Sequence, residues 1–224
     1  MLSFIDKYLS KEWKEYLNIH KELKAYKKNE IIFHAGEEGH GLYVILSGKV
    51  KVSYLQFNGS ERLIRLATSG ELLGHRAFGG NWEYPISALV LEDVEVLYIP
   101  LKVFETMVKA DANFSFHMMM FFAEELRKSE AKIKHYPVKN LVARAVLDNY
   151  RAFGFVEESD SKIDHTLSRR DYASMAGTTY ETVVRSLAQM KKDQIIDFEG
   201  KSIHILDLDK LQNLAHPPYK KAKK

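Results

Sequence analysis

The segment from Leu167 to Gln194, LSRRDYASMAGTTYETVVRSLAQMKKDQ, admits few folds, because one glycine separates two helix-forming runs that each carry their own start signal. Ser168 can offer its hydroxyl to the free backbone N–H groups of a first helical turn. Asp171, three residues on, stands where a capping-box acid belongs. Thr178 and Glu181 repeat the pattern at the second start. Gly177 falls between them, where the chain calls for a left-handed backbone that a side chain would penalise. The spacing predicts a tight helix–turn–helix, with the second helix over 179–192.

In that second helix Val183, Leu187 and Met190 recur at spacings of four and three, which makes one apolar face directed at the first helix. Tyr180, Glu181, Val184, Arg185 and Gln189 then face outward together. A helix that reads DNA requires this division, with one face packed on its neighbour and the other entering the major groove near its N-terminus. Arg185 can donate a bidentate pair to guanine, and Glu181 can accept from a cytosine amino group. Thr179 at the helix start, Arg169 in the first helix and Lys201 beyond the second complete the candidate DNA contacts. The same residues also describe an ordinary helical hairpin with solvated charges, so the rest of the chain has to decide.

Charge does not decide it: 33 Lys and Arg stand against 30 Asp and Glu, and no global basic field announces a nucleic-acid partner. Phosphate contacts must therefore come from local placement, at Arg169, Arg170, Lys191, Lys192 and Lys201. The closing lysines read as a solubilising end. The absence of cysteine excludes disulfides, thiolate metal sites, cysteine-ligated iron–sulfur clusters and thiol nucleophiles. No run reaches the roughly 18 apolar residues of a membrane span, and MLSFIDKYLSKEW lacks a basic segment followed by an apolar core. The expectation is a cytoplasmic protein without a membrane partner. At 224 residues it can hold one large domain or two modest ones.

Residues 3 to 25 read as helical, with Phe4, Tyr8, Trp13, Tyr16, Leu17, His20 and Leu23 in a rough stripe. From Glu30 short β-branched and aromatic runs are cut by Gly36, Gly39, Gly41, Gly48, Gly59, Gly70 and Gly74, the pattern of tight turns in a compact all-β unit. Val50–Leu55 and Leu63–Leu66 flank a hairpin at FNGSE. Two more strands are expected at Tyr84–Leu91 and Val94–Ile99, closed by Pro100. A short helix holds Phe104, Met107 and Val108, and Asp111 begins a long one. In it Phe114, Met118, Phe121 and Phe122 can pack on the β-unit. Met119, Leu126 and Ile133 repeat every seven residues, with Phe122 and Tyr136 at d-like positions, as in a two-stranded coil seam. A single buried core helix is the alternative. Pro137 breaks the pattern and marks a hinge. A helix over Val138–Phe153 ends at Gly154, IIDFEGKSIHIL reads as a two-stranded wing, and Asp207 caps a last short helix. The expected class is α+β, divided into 1–110, 111–136 and 137–224.

This order resembles that of the Crp/Fnr superfamily of bacterial transcription regulators, over nearly the whole chain. The residues that carry the likeness are IIFHAGEEGHGLYVILSGKVKV, GELLGHRAF and LSRRDYASMAGTTYETVVRSL, the last being the most specific. The family's Glu-Thr-Val followed closely by Arg stands here as Glu181, Thr182, Val183 and Arg185. The resemblance implies an N-terminal antiparallel β-roll, a long dimerisation helix and a C-terminal winged helix-turn-helix. It implies a homodimer on a palindromic duplex site, no enzymatic activity and RNA polymerase as a partner. It also makes Glu181 and Arg185 base readers. Where cyclic-AMP-responsive members carry an arginine early in the reader helix, this chain has Tyr180.

The resemblance places an effector pocket at Gly70, Glu71, Leu72, Gly74, His75 and Arg76. Cyclic-nucleotide binders of the family use a glutamate where this chain has His75. Their Arg-Ser or Arg-Thr pair falls at about Pro85 and Ile86, which supply neither guanidinium nor hydroxyl for a buried phosphate. Cyclic AMP is therefore not the expected effector, and the cysteine-ligated oxygen sensor is excluded. Two other functional classes compete with a DNA-binding regulator. One is a cupin-like metal enzyme with His34, Glu37, Glu38, His40 and His75 as ligands, whose spacing does not give paired histidines and an acid on successive strands. The other is a sensor acting through protein partners, which the outward face of the second helix speaks against.

Overall fold

The computed structural model describes residues 4–79, 81–132 and 136–217. Two compact units emerge: Met1–Tyr54 with Ala67–His135, and Leu55–Leu66 with Tyr136–Lys224. The class is α+β, with an antiparallel sheet in the N-terminal part and a helix-turn-helix in the C-terminal part.

The first unit begins with α1 (Phe4–Tyr8) and α2 (Lys11–His20), followed by strand β1 (Glu22–Tyr26). The helix expected to reach residue 25 stops earlier, because Lys21 turns extended and its N–H closes the last turn on the Leu17 carbonyl at 2.9 Å. Leu23, counted in the helical stripe, is 74% exposed on β1, which pairs antiparallel with Val94–Tyr98. The remaining strands of the sheet are β2 (Ile31–Phe33), β3 (Gly41–Leu55), β4 (Glu61–Ala67, counted with the second unit except for Ala67), β5 (Leu72–Leu73) and β6 (Ser87–Pro100). Their order is β1-β6-β3-β4, with β2 on β6 and β5 on β3. The two strands expected between Tyr84 and Ile99 are one strand, β6. The register of β3 on β6 shifts between Ile45↔Val96 and Val50↔Val90, five steps on β3 against six on β6, and both strands run on through the irregularity.

Gly48 sits in this bend at φ +93°, where an added Cβ would strike the Asp93 carbonyl oxygen. The inner face of the sheet is filled by Ile45, Val50, Val52, Val90, Val96 and a row of rings. Phe33 stacks on Tyr84 at 4.1 Å and on Tyr43 at 5.6 Å, and Tyr43 meets Tyr98 at 5.0 Å between centroids. The Tyr84 hydroxyl donates to the Gly41 carbonyl (2.8 Å) and that of Tyr98 to the His40 carbonyl (2.9 Å), so the rings are buried with their polar ends satisfied.

Helices α3 (Leu101–Ala110) and α4 (Ala112–Lys132) follow β6. Asp111 caps α4, its carboxylate accepting from the N–H groups of Phe114 (2.9 Å) and Ser10 (3.1 Å). Phe104, Met107, Phe114 and Met118 form a second core with Ile5, Leu9, Leu17, Leu42, Val44 and Ile99, and Phe121 and Phe122 pack against it.

The second unit holds α5 (Val138–Phe153), α6 (Arg169–Ala176), α7 (Tyr180–Lys192), strands β7 (Ile196–Glu199) and β8 (Ser202–Ile205), and α8 (Leu208–Ala215). Gly154 ends α5 at φ 74° and Asp207 caps α8 through the Lys210 N–H at 2.8 Å. The closing lysines, read as a solubilising end, lie outside the described residues.

Gly48→Ala is expected to cost about 2–4 kcal/mol in urea unfolding, because a left-handed backbone and an overpacked contact add. Gly36→Ala, at a similar φ of +86° but with open space around the Cβ, is the control and should lose only about 1–2 kcal/mol. Equal losses would contradict the steric role of Gly48.

Candidate nucleic-acid interface

The helix-turn-helix is built from the backbone outward. Ser168 and Asp171 form a complete capping box: the Asp171 N–H donates to Ser168 Oγ (3.1 Å) and the Ser168 N–H to Asp171 Oδ2 (3.1 Å). Gly177 stands at φ 64°, ψ 43° after α6, as a left-handed C-cap. The second start is capped by Thr179 rather than by the expected Thr178. Thr178 instead directs its N–H back to the Ala173 carbonyl (3.0 Å) to finish the first helix, and Thr179 Oγ1 accepts from the Thr182 N–H (3.3 Å). The left-handed residue consumes one more position before the chain can re-enter a helix, which is why the cap falls later.

Packing fixes which way α7 faces. Val183, Leu187 and Met190 are at most 2% exposed, and on α6 Tyr172, Ala173 and Ala176 are buried. The Tyr172 hydroxyl meets Asn149 Nδ2 at 2.9 Å, and the same amide donates to the His165 carbonyl (2.9 Å), so α5 and α6 share one buried polar link. Burial pushes the Tyr172 hydroxyl pKa well above the usual phenol range.

Glu181, Arg185 and Gln189 are exposed, with Tyr180 at 49% and Val184 at 41%. The Glu181 carboxyl is held below the usual range by its own backbone N–H first, then by Thr179 and by the charge of Arg185. It is ionised at neutral pH and acts only as an acceptor. Gln189 Nε2 donates to Asp193 at 2.7 Å.

The wing lies beside the helix starts. β7 and β8 pair from Ile196↔Ile205 to Glu199↔Ser202, and Gly200 turns between them at φ 59°. Ser168, Arg169, Arg170, Tyr180, Gly200 and Lys201 border a single cleft. Candidates drawn from three separate places in the sequence, Arg169, Tyr180 and Lys201, thus meet there. The second unit also contains Leu55–Leu66, where the Ser174 hydroxyl donates to the Glu61 carbonyl (2.6 Å) and accepts from the Leu63 N–H (2.7 Å). Arg62 donates to the Ser174 carbonyl at 2.6 Å and lies against Gly177. No local sequence pattern announces this link, since its partners are more than a hundred residues apart.

The residues expected around the effector run from the edge of β3 to α4. Gly70 and Glu71 are hydrogen-bonded to Ile45, Leu72 forms β5, and Gly74, at φ 80°, approaches the Gly41 carbonyl so closely that a Cβ would lie 2.9 Å from it. His75 is 3% exposed, with Nδ1 at 3.1 Å from the Leu72 carbonyl and Nε2 at 4.0 Å from Glu125 on α4. Arg76 donates to the same carboxylate at 3.4 Å, and Lys128 reaches it at 3.3 Å. Pro85 is exposed, and Ile86 packs against the sheet core. Of the other histidine-region residues, Glu37 accepts the His34 N–H at 2.8 Å and so serves its own turn.

Along α4, Met119 (59%) and Leu126 (63%) are exposed, as are Phe116 (53%) and Met120 (52%). Phe122 turns inward to the second core, and Ile133 lies outside the described residues.

Two family models match the chain: a cyclic nucleotide-binding domain over residues 23–111 and a Crp-like helix-turn-helix domain over 142–214. The chain belongs to the Crp/Fnr superfamily. Among curated Crp/Fnr relatives it is 29% identical over 201 residues to the fumarate and nitrate reduction regulatory protein of Escherichia coli, spanning 88% of this chain and 80% of that one. It is 25% identical over 193 residues to the CRP-like cAMP-activated global transcriptional regulator of Mycobacterium tuberculosis, spanning 85% and 86%. The fold is shared with FixK2 of Bradyrhizobium japonicum (TM-score 0.76, 22% identity, 89% of this chain and 99% of that one). It is also shared with the c-di-GMP responsive regulator CLP of Xanthomonas campestris (TM-score 0.70, 16% identity, 88% and 99%). These Crp/Fnr relatives are transcription regulators rather than enzymes, and this chain is a regulator of that type with a helix-turn-helix DNA-binding domain. Among the described residues no helix is long and apolar enough to cross a membrane.

Ser168→Ala removes the acceptor of the capping box and is expected to destabilise the second unit by about 0.5–2 kcal/mol, read as a lowered thermal midpoint. An unchanged midpoint would show that α6 does not depend on its cap.

Proposed function

We propose that the chain works as a homodimer on an inverted-repeat duplex site, with α7 in the major groove. The single observation behind this reading is the exposed Glu181–Arg185 face of α7 next to the cleft that joins Arg169, Tyr180 and Lys201. Arg185 and Glu181 can together read a G·C pair, the arginine at guanine and the carboxylate at the cytosine amino group. Thr179, Val184 and Gln189 flank them, and Arg169 and Lys201 supply phosphate contacts that set the register. Met119 and Leu126 on α4 provide the apolar seam for a second copy, with the functional division at 1–110, 111–136 and 137–224. Two copies would address half-sites about 34 Å apart. Regulation acts by shifting populations of reader orientations through α4 and the segment before Pro137. The protein acts in the cytoplasm and recruits or blocks RNA polymerase.

Cyclic AMP is not its effector in this reading. A cyclic phosphate needs uncommitted positive charge, and Arg76 instead faces the carboxylate of Glu125, while Pro85 and Ile86 replace the phosphate-binding pair. The aromatic row of Phe33, Tyr43, Tyr84 and Tyr98 takes up much of the sheet's inner face.

Arg185→Ala should weaken binding to the selected site by about 1–3 kcal/mol, or roughly 5- to 150-fold, and flatten preference at one base pair, with little change on random duplex. The measurement is fluorescence anisotropy on both duplexes, repeated with cyclic AMP, which should move neither curve. An equal loss on both duplexes would remove Arg185 from base reading, and a response to cyclic AMP would overturn the account of the roll.

A further inference from the structure

The wing carries a half-buried aromatic residue, Phe198, that belongs to neither the base-reading face nor the capping scheme. The guanidinium carbon of Arg169, the first residue of α6, lies 4.9 Å from the centroid of its ring. The ammonium of Lys191, near the end of α7, lies 5.7 Å from the same centroid and is also paired with Asp197. One ring on β7 thus gathers a cation from each helix of the helix-turn-helix. The two cations are held differently. The charge of Lys191 is already matched by a carboxylate, whereas among the described residues Arg169 is held by the ring and not by an ion pair.

The difference matters for a residue that must contact phosphate. A carboxylate fixes an arginine by occupying its N–H donors and cancelling its charge. An aromatic face attracts the guanidinium through the ring quadrupole and leaves the in-plane donors available. It also orders a long side chain before binding, so less rotamer freedom is lost in the complex. Arg169 borders the cleft shared with Tyr180 and Lys201, the cleft to which the proposed function assigns the duplex backbone.

We infer that Phe198 is a positioning residue for DNA recognition, whose ring holds the guanidinium of Arg169 ready for a backbone phosphate. The inference rests on the reading of the second unit as a sequence-specific duplex binder. It assigns the wing a task beyond its own backbone contacts: the wing strand orients a cation that another element contributes.

The test is equilibrium binding of the full chain to a labelled duplex carrying its selected site, at about 50 to 300 mM KCl, for wild type, F198L, F198Y, R169A and the F198L/R169A pair. F198L keeps apolar bulk but loses the ring. Its affinity should fall about three- to tenfold, and the slope of log Kd against log salt should drop by about one unit, as when one phosphate contact is lost. F198Y should restore both. R169A should cost much less in the F198L background than in wild type. A packing role alone would lower the thermal midpoint of F198L while leaving the salt slope and the full R169A effect intact, and that result would overturn the inference. If F198L does not fold, F198M serves the same comparison. A wild-type chain that cannot distinguish its site from random duplex would instead overturn the DNA-reading assignment itself.

Discussion

Everything that the C-terminal unit can do depends on the burial of one face of α7. Val183, Leu187 and Met190 are withdrawn from water almost completely. At roughly 1.5–3 kcal/mol for each fully buried side chain of this size, the three together outweigh any contribution from the exposed charges of the same helix. With that face committed, the helix has one rotational setting, and Glu181, Val184, Arg185 and Gln189 have to face outward. The Gly177 turn and the Thr179 cap then fix where the helix begins, so the outward residues are also fixed along its axis. Base reading needs both, because a bidentate pair tolerates little displacement.

The first unit shows the opposite economy of charge. Where the family places an effector, this chain brings His75, Arg76 and Lys128 to the carboxylate of Glu125. His75 and the Glu125 carboxylate are largely withdrawn from solvent, at 3% and 18% exposure. A partly buried carboxylate among cations is stable only while its partners remain, and removing one would leave charge uncompensated. The contact joins the β5 region to α4, the helix that also carries the exposed Met119 and Leu126. Any signal that alters this cluster would act directly on the proposed dimer helix.

Much of this was legible in the sequence because the decisive features are local. The capping box, the Gly177 break, the α5 limits at Val138 and Phe153 and the wing turn are all set by residues within a few positions of one another. The errors arise where partners are distant. Leu23 fitted a helical stripe by period, but pairing with β6 overrode that short pattern. The expected break between two strands disappeared because β6 absorbs the register shift opposite Gly48 and stays paired with β3 on both sides of it. Thr178 and Thr179 are chemically equivalent as caps, and only the backbone after Gly177 selects between them. Phe198 carries no motif at all, since its partners Arg169 and Lys191 reach it only once the wing has folded against the two helices.

The central claim is that two readers of this kind act together on one duplex. Selection of bound sequences from a randomised duplex pool, with the purified 224-residue chain, tests it most directly. The account predicts two inverted copies of a short motif, each containing a G·C pair, with centres about 10–10.5 base pairs apart. Recovery of an unsymmetric single motif, or of no enriched sequence at all, would contradict it.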